Sequence, residues 1–364
     1  SSRLELILRD CAIGHVVSEP SKTESVRTWL ESGLRLEGIV GMEDGDLDGV
    51  SAVPWHEVET ASLLASDPGT IEQDLAYVLY TSGSTGVPKG VVHTHRSALA
   101  FAEIAAQTYG FGPEDRLSNH APLHFDLSTM DFFSAAVAGA TTVVIPDIYT
   151  RIPASLSQLI QDQRLTVLYA VPLALTQLLL HGALEKRDLS SVRWVLFGGE
   201  PFPTKHLRAL MNALPSARFS NVYGPTEVNG VTYWVVPPLP EDSDEPIPIG
   251  HPYGNVEMLV LGADDEPVEP GQPGELVVRT PTMMQGYWGR PDLNDRAFYR
   301  RPTGQGTDHV FHRTGDLVCQ REDGALMFLG RKDRQIKTRG YRVELDEVEA
   351  ALSSQAAVEV AAVY

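Results

Sequence analysis

Tyr80-Thr-Ser-Gly-Ser-Thr-Gly-Val-Pro-Lys-Gly90 is the stretch on which the reading of this chain turns. A strand-like run, Leu75 to Tyr80, leads into it. A short apolar run, Val91-Val92, leads out of it towards a helical pattern that starts at Arg96. Three glycines, four Ser or Thr residues and one lysine fall within eleven positions. Glycine lets successive N–H groups turn towards one anion, and hydroxyls add donors. Lys89 adds a mobile positive charge. This chemistry suits a triphosphate. The spacing departs from the common phosphate loop GxxxxGK[ST], because Pro88 stands at its second glycine and Gly90 follows the lysine. Taken alone, the stretch also reads as a flexible Gly/Ser surface loop.

The 364 residues suffice for two or three domains. A hydrophobic content of 43% with 21% charged residues is ordinary for a globular chain. A formal net charge of −19 argues against nucleic acid or an anionic membrane as a partner, since both demand basic surface. Any nucleotide site must then be a local basic focus, which makes Lys89 and the few arginines within motifs informative. Two cysteines, Cys11 and Cys319, leave no disulfide framework and fit a reducing cytoplasm. The longest apolar stretch, Phe132 to Ile145, is too short for a membrane span and is broken by Ser, Gly and Thr.

Along the chain, residues 1–70 read as α/β. Helical periodicity follows from Arg96 to Tyr109, Ser155 to Gln163 and Leu173 to Leu180, with strands predicted at Thr141–Ile145, Thr166–Ala170 and Trp194–Phe197. That alternation predicts layered, largely parallel sheets with helices, and ligands beyond the carboxyl ends of the strands. After Pro237 prolines cluster and short strands replace helices, predicting a small β-rich subdomain. After the charged junction Gly330-Arg-Lys-Asp-Arg334 a strand and a helix, Leu345 to Leu352, read as the start of an incomplete α+β subdomain. The expected divisions are 1–236, 237–332 and 333–364.

Further stretches look chemical. Asn221-Val-Tyr-Gly-Pro-Thr-Glu227 puts an aromatic, a hydroxyl and a carboxylate on one turn. Tyr223 could stack on a base, Thr226 reach a phosphate and Glu227 hold Mg²⁺, which takes one or two carboxylates plus phosphate oxygens. An ordinary Gly-Pro turn is the alternative. In Arg313-Thr-Gly-Asp316 the carboxylate could accept both hydroxyls of a ribose, or be a turn residue. In Phe125-Asp-Leu-Ser128, Asp126 stands within an apolar stretch. A buried carboxylate needs a partner, for which a substrate ammonium would serve; the alternative is a helix N-cap. His93, His95 and His124 lack metal-ligand spacing and read as structural or loop residues.

In this order, YTSGSTGVPKG, FDLS, FGGE, NVYGPTE, the GEL to GYWGRP stretch from Gly274 to Pro291, RTGDL and GRKDRQIKTRGYRVEL make the chain resemble the adenylate-forming superfamily from about Leu4 to Leu352. That superfamily comprises acyl-CoA synthetases, firefly luciferase and amino-acid adenylation domains. The resemblance implies an ATP- and Mg²⁺-dependent ligase. Thr81, Ser82, Ser84, Thr85 and Lys89 would grip the β- and γ-phosphates. Gly198, Gly199 and Glu200 would line the adenine pocket, with Tyr223 on the ring face and Asn221 and Gly224 in the same motif. Thr226 would contact the α-phosphate and Glu227 the Mg²⁺, making these two and Lys89 the catalytic set. Asp316 and Arg331 would hold the ribose, and Asp333 resembles the hinge of the small C-terminal subdomain.

FDLS favours the amino-acid branch of that superfamily, in which Asp126 would bind the amino group. By the same likeness the substrate pocket would be Leu127, Met130, Tyr169, Leu196, Gly198, Val222, Gly230 and Val231, with the two glycines leaving volume. The stretch from Gly198 to Pro215 resembles free-standing ligases that load a carrier protein with proline or a β-amino acid. The expectation is therefore activation of a neutral amino acid as its aminoacyl adenylate, then transfer to a carrier protein's phosphopantetheine thiol. An acyl- or aryl-CoA ligase and a non-catalytic nucleotide-binding module are the alternatives. Two departures stand out: the family's first motifs have too little chain here, and its last lysine would lie beyond Tyr364. Truncation accounts for both, since a decaying site would lose its phosphate and Mg²⁺ ligands as well.

Overall fold

The computed structural model describes residues 2–43, 47, 49–62, 69–83, 87–304, 306–338, 341–353 and 363. Its contacts separate into two compact units, Ser1–Thr70 and Ile71–Tyr364. The first is α/β, as its alternating pattern predicts. Strands His15–Val17, Gly38–Val40 and Ser51–Val53 form a parallel sheet with Gly38–Val40 in the middle. Val26 and Trp29 from helix Thr23–Glu31 and Leu8 from helix Ser2–Asp10 close with Ile39 and Met42 into a core of their own.

The second unit is built on a seven-stranded sheet. Its order is His251–Pro252, Thr232–Val235, Arg218–Tyr223, Trp194–Gly198, Val167–Ala170, Arg116–Asn119, Thr141–Val144. From Arg218–Tyr223 to Thr141–Val144 all neighbours are parallel, and the two strands at the other edge are antiparallel. The strands obey a period of two. Trp194 and Leu196 face one core together with Val167 and Tyr169, while Val195 and Phe197 face the other together with Leu168 and Ala170. Helices Pro153–Asp162, Pro172–His181 and Thr204–Ala213 supply Leu156, Ile160, Leu175, Leu178, Leu207 and Leu210 to the second core. Helix His95–Tyr109 covers the first with Phe101, Ala105 and Tyr109. Each such side chain, fully buried, contributes roughly 1.5–3 kcal/mol.

One expectation is corrected here. Strand Leu75–Thr81 is not part of the parallel sheet. It pairs antiparallel with Lys89–Thr94, which pairs in turn with Gly286–Tyr287. The Tyr80–Gly90 stretch is therefore the connection of a hairpin, not a strand-to-helix turn. A continuous apolar run has the same signature in either arrangement, so periodicity could not separate them.

Beyond Pro237 lies the expected β-rich part. Strands Glu257–Leu261, Pro273–Arg279, Asp308–Gln320 and Phe298–Pro302 pair antiparallel in that order, and Leu326–Arg331 also pairs with Asp308–Gln320. The register sets Asp316 opposite Arg331, beside an irregularity at Leu317/Val318. A hairpin, Gln335–Thr338 with Tyr341–Glu344, and helix Leu345–Ser353 follow. Among the described residues no helix is long and apolar enough to cross a membrane.

Candidate active site

A cleft of about 680 Å³, counted out to its open mouth, lies in the second unit. Its walls include Phe101, Phe125, Asp126, Leu127, Tyr169, Gly199, Val222, Thr226, Asn229 and Gly230 from the sheet, its helices and turns, and Asp316, Arg331 and Gln335 from the β-rich part and the hairpin after it. Residues from motifs 200 positions apart thus meet because Arg218–Tyr223 lies mid-sheet and the β-rich part brings in Asp316 and Arg331.

Asp126 precedes the helical turn Leu127–Thr129 but makes no side-chain cap bond to it, so the N-cap alternative is not realised. Its Oδ2 instead accepts the hydroxyl of Thr226 at 2.6 Å. That bond joins the FDLS and NVYGPTE motifs across the cleft. Thr226 is fixed from behind as well. His93 is wholly buried, and burial drives its imidazole down to about 4, so it is neutral. Its Nε2 faces the Thr226 carbonyl oxygen at 2.9 Å and so carries the proton, leaving Nδ1 to accept from Ser97 Oγ at 3.1 Å. The next carbonyls of the turn are also held: Glu227 O accepts Met284 N at 2.7 Å, and Val228 O accepts Thr282 Oγ1 at 2.6 Å. Asn229 Nδ2 lies 3.3 Å from the hydroxyl of Tyr77, which stacks on His93 and whose pKa burial raises to about 12.

Glu227 is 1% exposed. Its Oε1 lies 3.3 Å from Lys89 Nζ and accepts the Tyr287 hydroxyl at 2.8 Å. Lys89 Nζ also donates to that hydroxyl at 3.0 Å and stands 4.5 Å from the ring centre. Nearby, Thr81 Oγ1 is buried with no hydrogen-bond partner among the described residues, and Ser82 is buried. Ser84 and Thr85 lie outside the described residues. At the far end Asp316, 2% exposed, accepts from Tyr223 and, at 2.6 Å, from Arg331. Arg331 also forks onto both oxygens of Asp333 at 2.7 Å. Burial works against the charge of Arg331, but Asp333 and Asp316 outweigh it and hold its pKa above the ordinary value.

Other expected site residues stand near the cleft without lining it. Met130, Leu196 and Val231 are buried in the cores behind it. Glu200 accepts Leu173 N at 3.1 Å, at the start of helix Pro172–His181. Asn221 donates to Pro248 O at 2.9 Å, and Tyr223 packs with Val228, Val231 and Ile249. The expected volume at two glycines is corrected. A Cβ on Gly198 would sit 2.3 Å from Val222 O, and one on Gly230 would sit 2.5 Å from the Phe101 ring. Both glycines serve close approach, not space. Phe101, Phe125, Asn229 and Tyr287 were not singled out from sequence, and His93, read there as a structural or loop residue, is buried behind Thr226. Phe101 was visible only as one of the apolar positions of its helix, and Tyr287 only within GYWGRP.

Among the described residues no cluster of three or more His, Cys, Asp or Glu could hold a metal ion alone. The donor set fits Mg²⁺ only together with a substrate's oxygens, with Glu227 as the protein carboxylate.

The model of the AMP-binding enzyme family matches residues 1–288. An L-proline–[L-prolyl-carrier protein] ligase of Pseudomonas fluorescens is 40% identical over 316 residues, covering 87% of this chain and 60% of the relative. One of Streptomyces coelicolor is 39% identical over 343 residues, covering 93% and 62%. The chain thus spans about three-fifths of the length of these relatives. Among solved structures, IdnL1 superposes with a TM-score of 0.75 at 30% identity, covering 96% of this chain and 77% of that one. Because the family model matches residues 1–288, more than half of the chain, the chain belongs to the AMP-binding enzyme family.

Proposed function

We propose that the protein activates a neutral amino acid with ATP and passes it to the phosphopantetheine thiol of a carrier protein. One observation carries the reading. A single cleft has Asp126, the candidate for the substrate ammonium, hydrogen-bonded at 2.6 Å to Thr226, the candidate for the α-phosphate, with Asp316 and Arg331 lining the same space. An aminoacyl adenylate needs that adjacency. The likeness to two L-proline–[L-prolyl-carrier protein] ligases supports a cyclic or other neutral substrate and the same kind of partner.

In this reading the substrate carboxylate attacks the α-phosphorus, and the bond to pyrophosphate breaks. The thiol then attacks the acyl carbon, losing its proton as AMP leaves. The chain contributes positioning and charge, not a covalent nucleophile. Thr81, Ser82, Ser84, Thr85 and Lys89 hold the outer phosphates, Thr226 the α-phosphate, and Asp316 and Arg331 the ribose. Gly198, Gly199, Glu200, Asn221, Tyr223 and Gly224 form the adenine side. Glu227 is the Mg²⁺ ligand, and the cation, when bound, neutralises charge on the phosphates. Asp333, held by Arg331, is the hinge, and boundaries at 236/237 and 332/333 separate the subdomains. Met130, Leu196, Gly198 and Val231 act on the substrate from behind Leu127, Tyr169, Val222 and Gly230. A content of only two cysteines supports a cytoplasmic setting.

The test is amino-acid-dependent exchange of labelled pyrophosphate into ATP by the full-length protein. Exchange is expected with proline or a neutral β-amino acid and not with Asp, Glu, Lys or Arg, whose charges would be desolvated against Phe125, Leu127 and Val222. Exchange with a plain carboxylic acid alone would move the protein to the CoA-ligase class. Nucleotide binding without any exchange would make it a binding module.

A further inference from the structure

Tyr287 belongs to no role assigned so far, yet its hydroxyl sits between the two charges that the proposed reaction must separate. Lys89 and Glu227 are 3.3 Å apart and almost fully buried. In that reading Lys89 must turn its charge to phosphate oxygens and Glu227 must turn its own to a cation. A buried pair resists being opened, because each charge left alone is strongly destabilised. The phenol addresses both sides: it accepts from Lys89 at 3.0 Å and donates to Glu227 at 2.8 Å. Its ring stands 4.5 Å from Nζ, within range of a cation–π attraction.

The hydroxyl is placed by the scaffold rather than by the cleft. Tyr287 pairs with Val91 in the strand that begins at Lys89. Gln285 N and Trp288 N donate to Val92 O and Gly90 O at 2.9 and 2.8 Å, and Tyr287 N donates to Asn294 Oδ1 at 2.7 Å. Its side chain packs with Val91, Met284 and Ala297.

We propose that Tyr287 is a positioning residue for the Mg²⁺-bound triphosphate. Its hydroxyl stays hydrogen-bonded to Lys89 and Glu227 as their ion pair opens, so that a preset cation and a preset carboxylate meet the ligand. The proposal rests on the nucleotide reading above. Tyr287→Phe keeps the ring, its packing and its backbone bonds, and removes only the bridge. Hydrogen bonds to charged groups of this kind predict Mg·ATP binding about ten- to a hundredfold weaker, with AMP binding changed by less than about twofold.

The experiment is calorimetric titration of wild type and Tyr287→Phe with Mg·ATP and with AMP, after thermal unfolding has established that both are folded. The half-saturating Mg²⁺ concentration should rise in the variant, and in pyrophosphate exchange the KM for ATP should rise more than kcat falls. Against a Glu227→Gln background, where no ion pair remains to close, Tyr287→Phe should cost far less in Mg·ATP affinity. Unchanged Mg·ATP affinity, equal loss for AMP, or the same loss in both backgrounds would overturn the role. A wild type that binds neither nucleotide would overturn the nucleotide reading itself.

Discussion

Asp126 is a carboxylate that accepts the Thr226 hydroxyl, in a cleft whose walls include Phe101, Phe125, Leu127 and Val222. Such a group is worth keeping charged only if a cation completes it. Asp126→Asn would leave a substrate ammonium without its counter-charge, costing about 3–5 kcal/mol as for one partner lost from a buried pair. That corresponds to roughly two to four orders of magnitude in kcat/KM for pyrophosphate exchange. A variant within a few-fold of wild type would remove Asp126 from the amino-group site. This residue was legible in the sequence because a charge inside an apolar stretch stands out. His93 was read as a structural or loop residue, and only the fold shows that it is turned onto the Thr226 carbonyl. Asn221, Glu200 and Tyr223 sat in recognisable motifs, but nothing in a motif says which way a side chain leans.

Elements were read well where a period had room to repeat. Helix His95–Tyr109 and strand Trp194–Gly198 were expected within one or two residues, because burial on one face imposes its spacing. Gly286–Tyr287, two residues long, has no period to display, and only pairing with Lys89–Thr94 makes it a strand. The turn after strand Arg218–Tyr223 yields the sharpest prediction at this scale. A Cβ on Gly224 would stand 1.5 Å from Asn229 O and 3.1 Å from Gly230 Cα, both backbone atoms that cannot rotate away. Gly224→Ala should destabilise the fold by more than about 2 kcal/mol, at the upper end of overpacking costs. Urea unfolding checks it, and an unchanged midpoint would mean that the turn has slack that this geometry lacks.

Over the whole molecule, a charge of −19 makes each cation near the cleft informative: Arg331 lines it, and Lys89 pairs with Glu227. What composition could not reveal is how buried charge sets the pH response. Asp131 is 1% exposed, with Asn119 Nδ2 at 3.4 Å; burial pushes its carboxyl well above the usual range, against that hydrogen bond. The folded state therefore keeps a proton that the unfolded state releases, and stability falls as pH rises above the ordinary aspartate value. His93 acts in the opposite sense, neutral in the fold, so its contribution is lost as pH falls from about 6.5 towards 4. Comparing variants isolates the first effect: the stability of Asp131→Asn relative to wild type should grow as pH rises above the ordinary aspartate value in urea titrations. A pH-independent difference would mean that Asp131 is ionised in the fold.

The Phe101 ring that occupies the place of a Gly230 side chain has a consequence for how this site can change over generations. A larger residue at 230 needs the Phe101 ring, 2.5 Å from its Cβ, and the Tyr253 ring, 3.1 Å away, to give way, so position 230 is bound to drift with 101 although 129 places part them. Breadth of substrate would then be inherited through a helix remote from the motif, and a breeder of new specificities should begin at Phe101.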